Sequence, residues 1–277
     1  MKHTRQKSTG TKRPMRMLPV FLVAVATLIL TLGATPSARG EVIELDDSTI
    51  IIETNFTDLD AGIQVFLDGE AWNKIVIKDP NGKKIFDVKG KGSLKDFGLT
   101  ELFLESNEPE FDELALVDIL ALFPEGFYEF KGKSVEKDKL EGTAFLSHDI
   151  PCAPTLASPI NGAIVASDAP VTISWGHVTN MLDNAAENCT GGEIPVETYQ
   201  VIVEKLETEN EFSIYLEAED MGNQVTLPEE FIEDDTTYKY EVLAIAENGN
   251  QTIQETWFCT GPDGPGEVGD PCPDPED

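Results

Sequence analysis

The sequence predicts an all-β protein with two consecutive antiparallel β-sandwich domains and one short helix in the first domain. Short segments of alternating apolar and polar residues recur through residues 41–260, as in Lys74–Lys78 and Tyr238–Ala244. Such alternation is typical of half-buried strands. Turn-forming sequences such as Asp79–Gly82 separate these segments. A proline-rich stretch at Pro151–Pro154 predicts a joint between two domains of ordinary size.

The first 40 residues have the three parts of a secretory signal peptide. Basic residues without any acid precede an apolar run from Leu18 to Ala34, and the small residues Ala38 and Gly40 follow. We expect cleavage after one of these two, because so short a run is at the limit for crossing a bilayer. The alternative is an uncleaved membrane anchor. The mature protein is then expected to be secreted, either extracellular or periplasmic, and free of the membrane.

Removal of this segment leaves a strongly acidic protein. Residues 41–277 hold 51 acidic residues against 13 basic ones, a formal charge of −38, and all 13 basic residues are lysine. Nucleic acid is therefore excluded as a partner, both by the sign of the charge and by the absence of arginine, whose guanidinium binds phosphate in bidentate geometry. So many carboxylates indicate a solvated, aggregation-resistant surface.

Residues 41–150 are predicted to form the first β-sandwich-like domain, whose family the motifs do not indicate. Within it, apolar residues recur at helical spacing between Phe111 and Leu122, and Pro124 and Gly126 then end the pattern, which predicts the short helix. The predicted strands are Thr49–Glu53, Ile63–Leu67, Lys74–Lys78, Lys84–Val88, Leu99–Leu104, Gly126–Phe130 and Thr143–Ser147.

Residues 151–260 are predicted to form the second domain, with seven strand signals at short, regular intervals. The remaining residues, 261–277, are rich in proline, glycine and acids, which predicts a disordered acidic tail. After a first strand that follows Pro159, the predicted strands are Val171–Trp175, Tyr199–Val203, Phe212–Leu216, Asn223–Leu227, Tyr238–Ala244 and Thr252–Phe258.

Residues 154–260 resemble a fibronectin type III domain, which is an immunoglobulin-like sandwich. In that family a tryptophan ends the second strand, as Trp175 does, and a tyrosine opens the third, as Tyr199 does. Tyr238 and Tyr240 match the tyrosine pattern of the sixth strand. The resemblance implies that these four side chains lie in the core. The segment Gly176–Pro195 is long for the family, and cysteines are not part of its usual pattern.

The mature chain has four cysteines, and an even number in an oxidising compartment predicts two disulfide bonds with three possible connectivities. A zinc site is not expected, because the chain has no C-x-x-C pair. The resemblance places Cys152 and Cys189 at one pole of the sandwich and Cys259 and Cys272 at the other. It therefore implies the pairs Cys152–Cys189 and Cys259–Cys272, since bridged Cα atoms lie within about 7 Å.

The long segment after the second strand is the candidate ligand loop, because loops at a sandwich pole commonly form recognition surfaces. A tolerated insertion pinned by Cys189 is the alternative. The polar residues that would contact a ligand there are His177, Asn180, Asp183 and Asn188.

Two further sites are predicted from local pattern. Asp58 and Asp60 place oxygen ligands at alternate positions before Gly62, an arrangement that favours calcium, although such clusters arise by chance in an acidic chain. No other cofactor is expected. Trp72 lies in a turn-like stretch, and an exposed ring there would contact a sugar, whereas strand tryptophans are usually packing residues.

No catalytic residue is predicted, because His148 and His177 are the only histidines after residue 40 and few bases exist for a nucleophile. The leading hypothesis is a secreted or cell-surface, non-catalytic interaction or structural protein, binding a protein or polysaccharide at the cell surface. The alternative is a carbohydrate-binding accessory protein of extracellular polysaccharide metabolism. A third hypothesis is an acidic extracellular hydrolase with paired carboxylates.

Overall fold

A computed structural model describes residues 41–208, 210–218, 222–261 and 272. The predicted signal peptide and most of the predicted acidic tail lie outside the described residues. In the part described, no helix is long and apolar enough to cross a bilayer. The described strands of the N-terminal half are β1 (Val42–Glu44), β2 (Asp47–Asn55), β3 (Asp60–Lys78), β4 (Lys84–Lys89), β5 (Leu99–Glu105), β6 (Gly126–Ser134) and β7 (Lys139–Leu146), and its helices are α1 (Ser93–Phe97) and α2 (Leu116–Leu122).

The C-terminal half contains eight strands and a single 3-10 turn, Glu229–Phe231, within the same described ranges. Its strands are β8 (Leu156–Ser158), β9 (Ala163–Ala166), β10 (Thr172–Trp175), β11 (Val196–Lys205), β12 (Asn210–Glu217), β13 (Gln224–Thr226), β14 (Thr237–Ala246) and β15 (Gln251–Gly261).

The long strand β3 organises the N-terminal half. Its first part pairs with β2 on one side and β5 on the other, and its second part pairs with β4 and β6. The register shifts between Asp68 and Trp72, where the partner strands change. Alternate residues of β3 then face inwards, and Ile75 and Ile77 are fully buried with Tyr128 and Phe130 of β6.

Trp72 corrects one interpretation of the sequence. It lies inside β3 rather than in a turn, is only 1% exposed, and packs in the N-terminal core. Residues 68–71 have the composition of a turn, but they remain in the strand because β3 pairs with β5 and β6 on either side of the register shift. Trp72 therefore offers no ring to a sugar.

The predicted helix is shorter than its apolar pattern. Only Leu116–Leu122 is helical, with Leu116, Ile119 and Leu120 buried. Phe111 instead lies in a turn whose amide donates to the carbonyl of Leu59, so this stretch is held against the β2–β3 connection. Helix α1 was not predicted, and it buries none of its residues.

The C-terminal half has two facing sheets. One has the strand order β15-β14-β11-β12 and the other β13-β10-β8, while β9 runs parallel to β15. This is the strand order of a fibronectin type III domain, so the fold that the resemblance implied is confirmed. The four side chains assigned to its core, Trp175, Tyr199, Tyr238 and Tyr240, are all buried.

One sheet continues through both halves. β2 of the N-terminal half pairs in parallel with β15 of the C-terminal half, through Glu53–Asn55 and Gln251–Ile253. The all-β class is confirmed, but the description as purely antiparallel is incomplete, because β1–β7, β2–β15 and β9–β15 are parallel pairs. Each half retains its own apolar core.

Candidate functional site

The lysines of the mature chain are concentrated in one region. Eleven of the 13 lysines after residue 40 lie between Lys74 and Lys139. Because Ile75, Ile77, Tyr128 and Phe130 point into the core, the residues that alternate with them on β3 and β6 face outwards. Lysines at these alternate positions therefore share the outer face of the sheet formed by β4, β3, β6 and β7.

Four of these lysines form a row across the sheet. Lys74 on β3 lies directly opposite Lys89 on β4 and Lys133 on β6, and Lys133 lies opposite Lys139 on β7. Neighbouring strands are about 4.8 Å apart, so the row spans about 14 Å. We call Lys89, Lys74, Lys133 and Lys139 the lysine row.

The charges of the lysine row are poorly compensated. Lys74 lies 3.7 Å from the carboxylate of Asp87, which also receives a 2.6 Å hydrogen bond from Lys84. The other three members form no ion pair with a described residue. Like charges directly opposite one another destabilise a sheet. The row therefore destabilises the folded protein locally, and packing does not require lysine at these positions.

The rest of this face is mixed in charge. Beside the row lie Asp87, Lys131 and Glu141, and the Lys131 ammonium donates to Glu129 at 2.8 Å. This hydrogen bond holds the pKa of Glu129 below its ordinary value, just as the bond from Lys84 lowers that of Asp87. Glu129 and Asp87 are thus engaged by lysines, whereas Glu141 forms no ion pair with a described residue. The row is the part of this face where lysines lie directly opposite one another.

An aromatic pair lies at the opposite end of the same face. Phe127 on β6 and Phe145 on β7 are cross-strand partners, with ring centroids 5.1 Å apart in an edge-to-face arrangement. They are 64% and 46% exposed. Six residues along each strand separate them from Lys133 and Lys139, a distance of about 20 Å.

A carboxylate cluster lies at the joint between the halves. Carboxylate oxygens of Glu53, Glu105 and Glu108 lie within 4.8 Å of one another, a geometry that could hold a cation. Burial, with a smaller contribution from the charges of Glu108 and Glu105, raises the pKa of Glu53 to about 7, against the lowering effect of a hydrogen bond from Gln251. Glu105 and Glu108 are exposed, so the cluster is open to solvent on one side.

The predicted calcium ligands are near this cluster but not part of it. Asp58 accepts a hydrogen bond of 2.8 Å from the side chain of Asn55. Partial burial, followed by the charge of Asp58, raises the pKa of Asp60. The structure thus places Asp58 and Asp60 close to each other and does not group them with the three glutamates. Calcium binding stays a prediction.

The long segment between β10 and β11 contacts the N-terminal half. Leu182 is buried in the N-terminal core, the Asn184 side chain donates to the carbonyl of His148, and Glu187 accepts from the amide of Leu116 at the start of α2. A disulfide bond between Cys152 and Cys189 pins the segment. The segment therefore joins the two halves.

The four polar residues assigned to a ligand in this segment do not converge on one point. His177 is exposed beside the hydroxyl of Tyr199, at 3.3 Å. Asp183 caps its own turn by accepting from Ala185 and forms an isolated bridge with Asn188. Asn180 is exposed, and its carbonyl accepts from the amide of Cys152. A ligand role for this loop stays a prediction.

The two disulfide bonds have the pairing that the resemblance implied. Cys152 is joined to Cys189 and Cys259 to Cys272, with Cα–Cα distances of 5.5 and 5.6 Å. Sequence reasoning missed the lysine row and the Phe127–Phe145 pair. The crowding of lysines between residues 74 and 139 was a visible signal, but the row depends on strand register.

No protein-family model and no curated protein sequence matches the chain. Among solved structures, the chain is similar to the FN1–FN3 domains of chicken CNTN1, with a TM-score of 0.34 and 13% identity, covering 79% of this chain and 68% of that one. It is similar to a two-domain fibronectin type III segment of chicken tenascin, with a TM-score of 0.26 and 9% identity, covering 77% and 97%. At such low TM-scores the strand order, not the likeness, defines the fold.

The strand order and the disulfide bonds define a structural class. The chain is an all-β protein with a fibronectin type III-like half and two disulfide bonds.

Proposed function

We propose that this chain is an exported, non-catalytic interaction protein that binds an anionic partner at the cell surface through its lysine row. The observation that carries the proposal is the register of Lys89, Lys74, Lys133 and Lys139 across four neighbouring strands. The mature chain is strongly acidic and has only 13 lysines, yet four of them lie directly opposite one another on neighbouring strands. Because this placement opposes folding, a binding role accounts for it better than stability does.

Export is supported by two independent features. The N-terminal 40 residues have the composition of a secretory signal, and all four cysteines are joined in disulfide bonds. Disulfide bonds persist in oxidising compartments such as the extracellular space and the periplasm. The anionic partner is therefore expected to lie on the outside of the cell.

Replacing all four row lysines with glutamine is expected to abolish salt-dependent retention of the mature protein by the cell-surface fraction of its own source. Retention is measured by co-sedimentation over a salt series, because charge-driven binding weakens as the ionic strength rises. The matched control replaces four exposed lysines outside the row, Lys83, Lys91, Lys95 and Lys137, and so makes the same change in net charge. The control protein is expected to stay bound.

Denaturant unfolding of the row variant separates binding from folding. Its free energy of unfolding is expected to equal or exceed that of the wild type, since three unfavourable lysine pairs are removed, each worth a few tenths of a kcal/mol. Equal loss of retention in the row and control variants would show that total charge, not the row, drives binding.

A further inference from the structure

We infer that the partner of the lysine row is a linear polysaccharide that carries carboxylate groups. The inference rests on the proposed function and names the chemistry of its ligand. The row is straight, because its members are register partners on successive strands. At about 14 Å it exceeds the length of one sugar ring, so it suits an extended oligosaccharide segment rather than a monosaccharide.

The chemistry of the row favours a polyanion over a folded protein. Cores of protein–protein interfaces are depleted in lysine and are anchored by aromatic residues and arginine. The chain has no arginine after Arg39, and the row contains only lysine. A lysine ammonium is a compact, hydrated point charge on a flexible stem, which can follow carboxylates spaced along a flexible polymer.

A second copy of this chain is a weaker candidate for the partner. The outer face of β11, β14 and β15 carries glutamates of the sign that a lysine row attracts. Two of these, Glu241 and Glu255, already lie 3.4 and 2.7 Å from Lys239 of the same face. Part of the charge that would attract a lysine row is therefore already compensated within the chain.

The aromatic pair supplies an independent argument for a sugar. Phe127 and Phe145 are large, exposed and on the same face as the row. Between them and the row lies a shallow depression of about 420 Å³, whose charged lining residues are Glu44, Glu129, Glu141 and Lys131. The apolar faces of sugar rings pack on aromatic side chains, so a polymer that crosses this face can contact both ends.

The test titrates the mature protein with defined polymers by isothermal calorimetry. Polygalacturonate is the carboxylate probe, and fully methyl-esterified polygalacturonate is its uncharged match on the same backbone. Wild-type protein is expected to bind polygalacturonate and not the ester, with affinity falling at least about tenfold between low and physiological salt, as for other charge-driven polyanion binding. The row variant is expected to lose at least about tenfold in affinity, and the control lysine variant to stay within about threefold.

A double variant, Phe127→Ala with Phe145→Ala, separates the aromatic contribution. Both side chains are exposed, so the fold is expected to persist. Affinity is expected to fall while the slope of affinity against salt concentration stays unchanged, because no charge is removed. A change in that slope would contradict the assignment of the charged contacts to the lysine row and of the apolar contacts to the phenylalanine pair.

Other outcomes overturn the inference in distinguishable ways. If dextran sulfate binds and polygalacturonate does not, the carboxylate assignment is wrong. If light scattering detects self-association that the row variant loses, the partner is a second copy of the chain. If no defined polymer binds while retention by the cell-surface fraction still depends on the row, the polysaccharide inference fails and the proposed function stands. If the row variant is retained like the wild type, the proposed function itself fails.

Discussion

Replacing Cys152 and Cys189 with serine is expected to lower the free energy of unfolding by about 4 kcal/mol, the loop-entropy value for their separation in sequence. The bond links residues 37 apart, so its removal frees a large loop in the unfolded chain. It also releases the segment that buries Leu182 in the N-terminal core. Equilibrium denaturation followed by circular dichroism measures the change.

The second disulfide bond provides a matched comparison. Cys259 and Cys272 are 13 residues apart, and the same loop-entropy relation gives about 3 kcal/mol for their replacement. The Cys152–Cys189 variant is therefore expected to unfold at the lower denaturant concentration. The reverse order, or an unchanged midpoint for the Cys152–Cys189 variant, would contradict the assigned role of this bond in joining the halves.

Replacing Asn250 with alanine is expected to cost about 2 kcal/mol, since two buried backbone groups, the amide of Ile52 and the carbonyl of Ser147, each lose a partner that contributes about 1 kcal/mol. The partly buried carbonyl of Asp149 keeps its hydrogen bond from the Asn248 side chain. Asn250 is 1% exposed at the start of the β2–β15 joint. Its Oδ1 accepts from the amide of Ile52 at 2.9 Å, and its Nδ2 donates to the carbonyls of Ser147 and Asp149 at 2.9 and 2.8 Å. One side chain of the C-terminal half thus contacts both strand β2 and the residues that follow β7 in the N-terminal half.

Asn161→Ala is the control for this variant, because Asn161 is exposed in a loop of the same half and is expected to change stability by less than about 0.5 kcal/mol. Fluorescence and circular dichroism are followed together. In the Asn250→Ala protein, the unfolding midpoints followed by fluorescence and by circular dichroism are expected to differ, because the contact between the two cores is weakened. A variant that keeps the wild-type midpoint would contradict the role given to Asn250.

Sequence reasoning recovered the parts of the fold that depend on local pattern. Alternation located the strands, and the resemblance placed Tyr199, Tyr238 and Tyr240 in a core where they are now found buried. The same topology implied both disulfide pairs, because it fixed which strand ends share a pole. These features follow from residue type and strand order alone.

The remaining features depend on register and on contacts distant in sequence. Asn250 lies between the predicted strands Tyr238–Ala244 and Thr252–Phe258, and its hydrogen-bond partners lie about 100 and 198 positions away in the sequence. Glu53 lies near Glu105 and Glu108 only because β2 and β5 pair with the two sides of β3. The lysine row needs three registers to be correct at once, and a shift of one residue in any strand would turn its lysine to the opposite face.

Amine footprinting tests the central claim most directly. The mature protein is labelled with an acylating reagent, free and bound to the cell-surface fraction, and each lysine is quantified by mass spectrometry. Binding through the row predicts that Lys74, Lys89, Lys133 and Lys139 lose labelling severalfold on binding while the exposed Lys83 and Lys95 do not change. Equal labelling of the row in the free and bound protein, or protection confined to lysines outside it, would contradict the account.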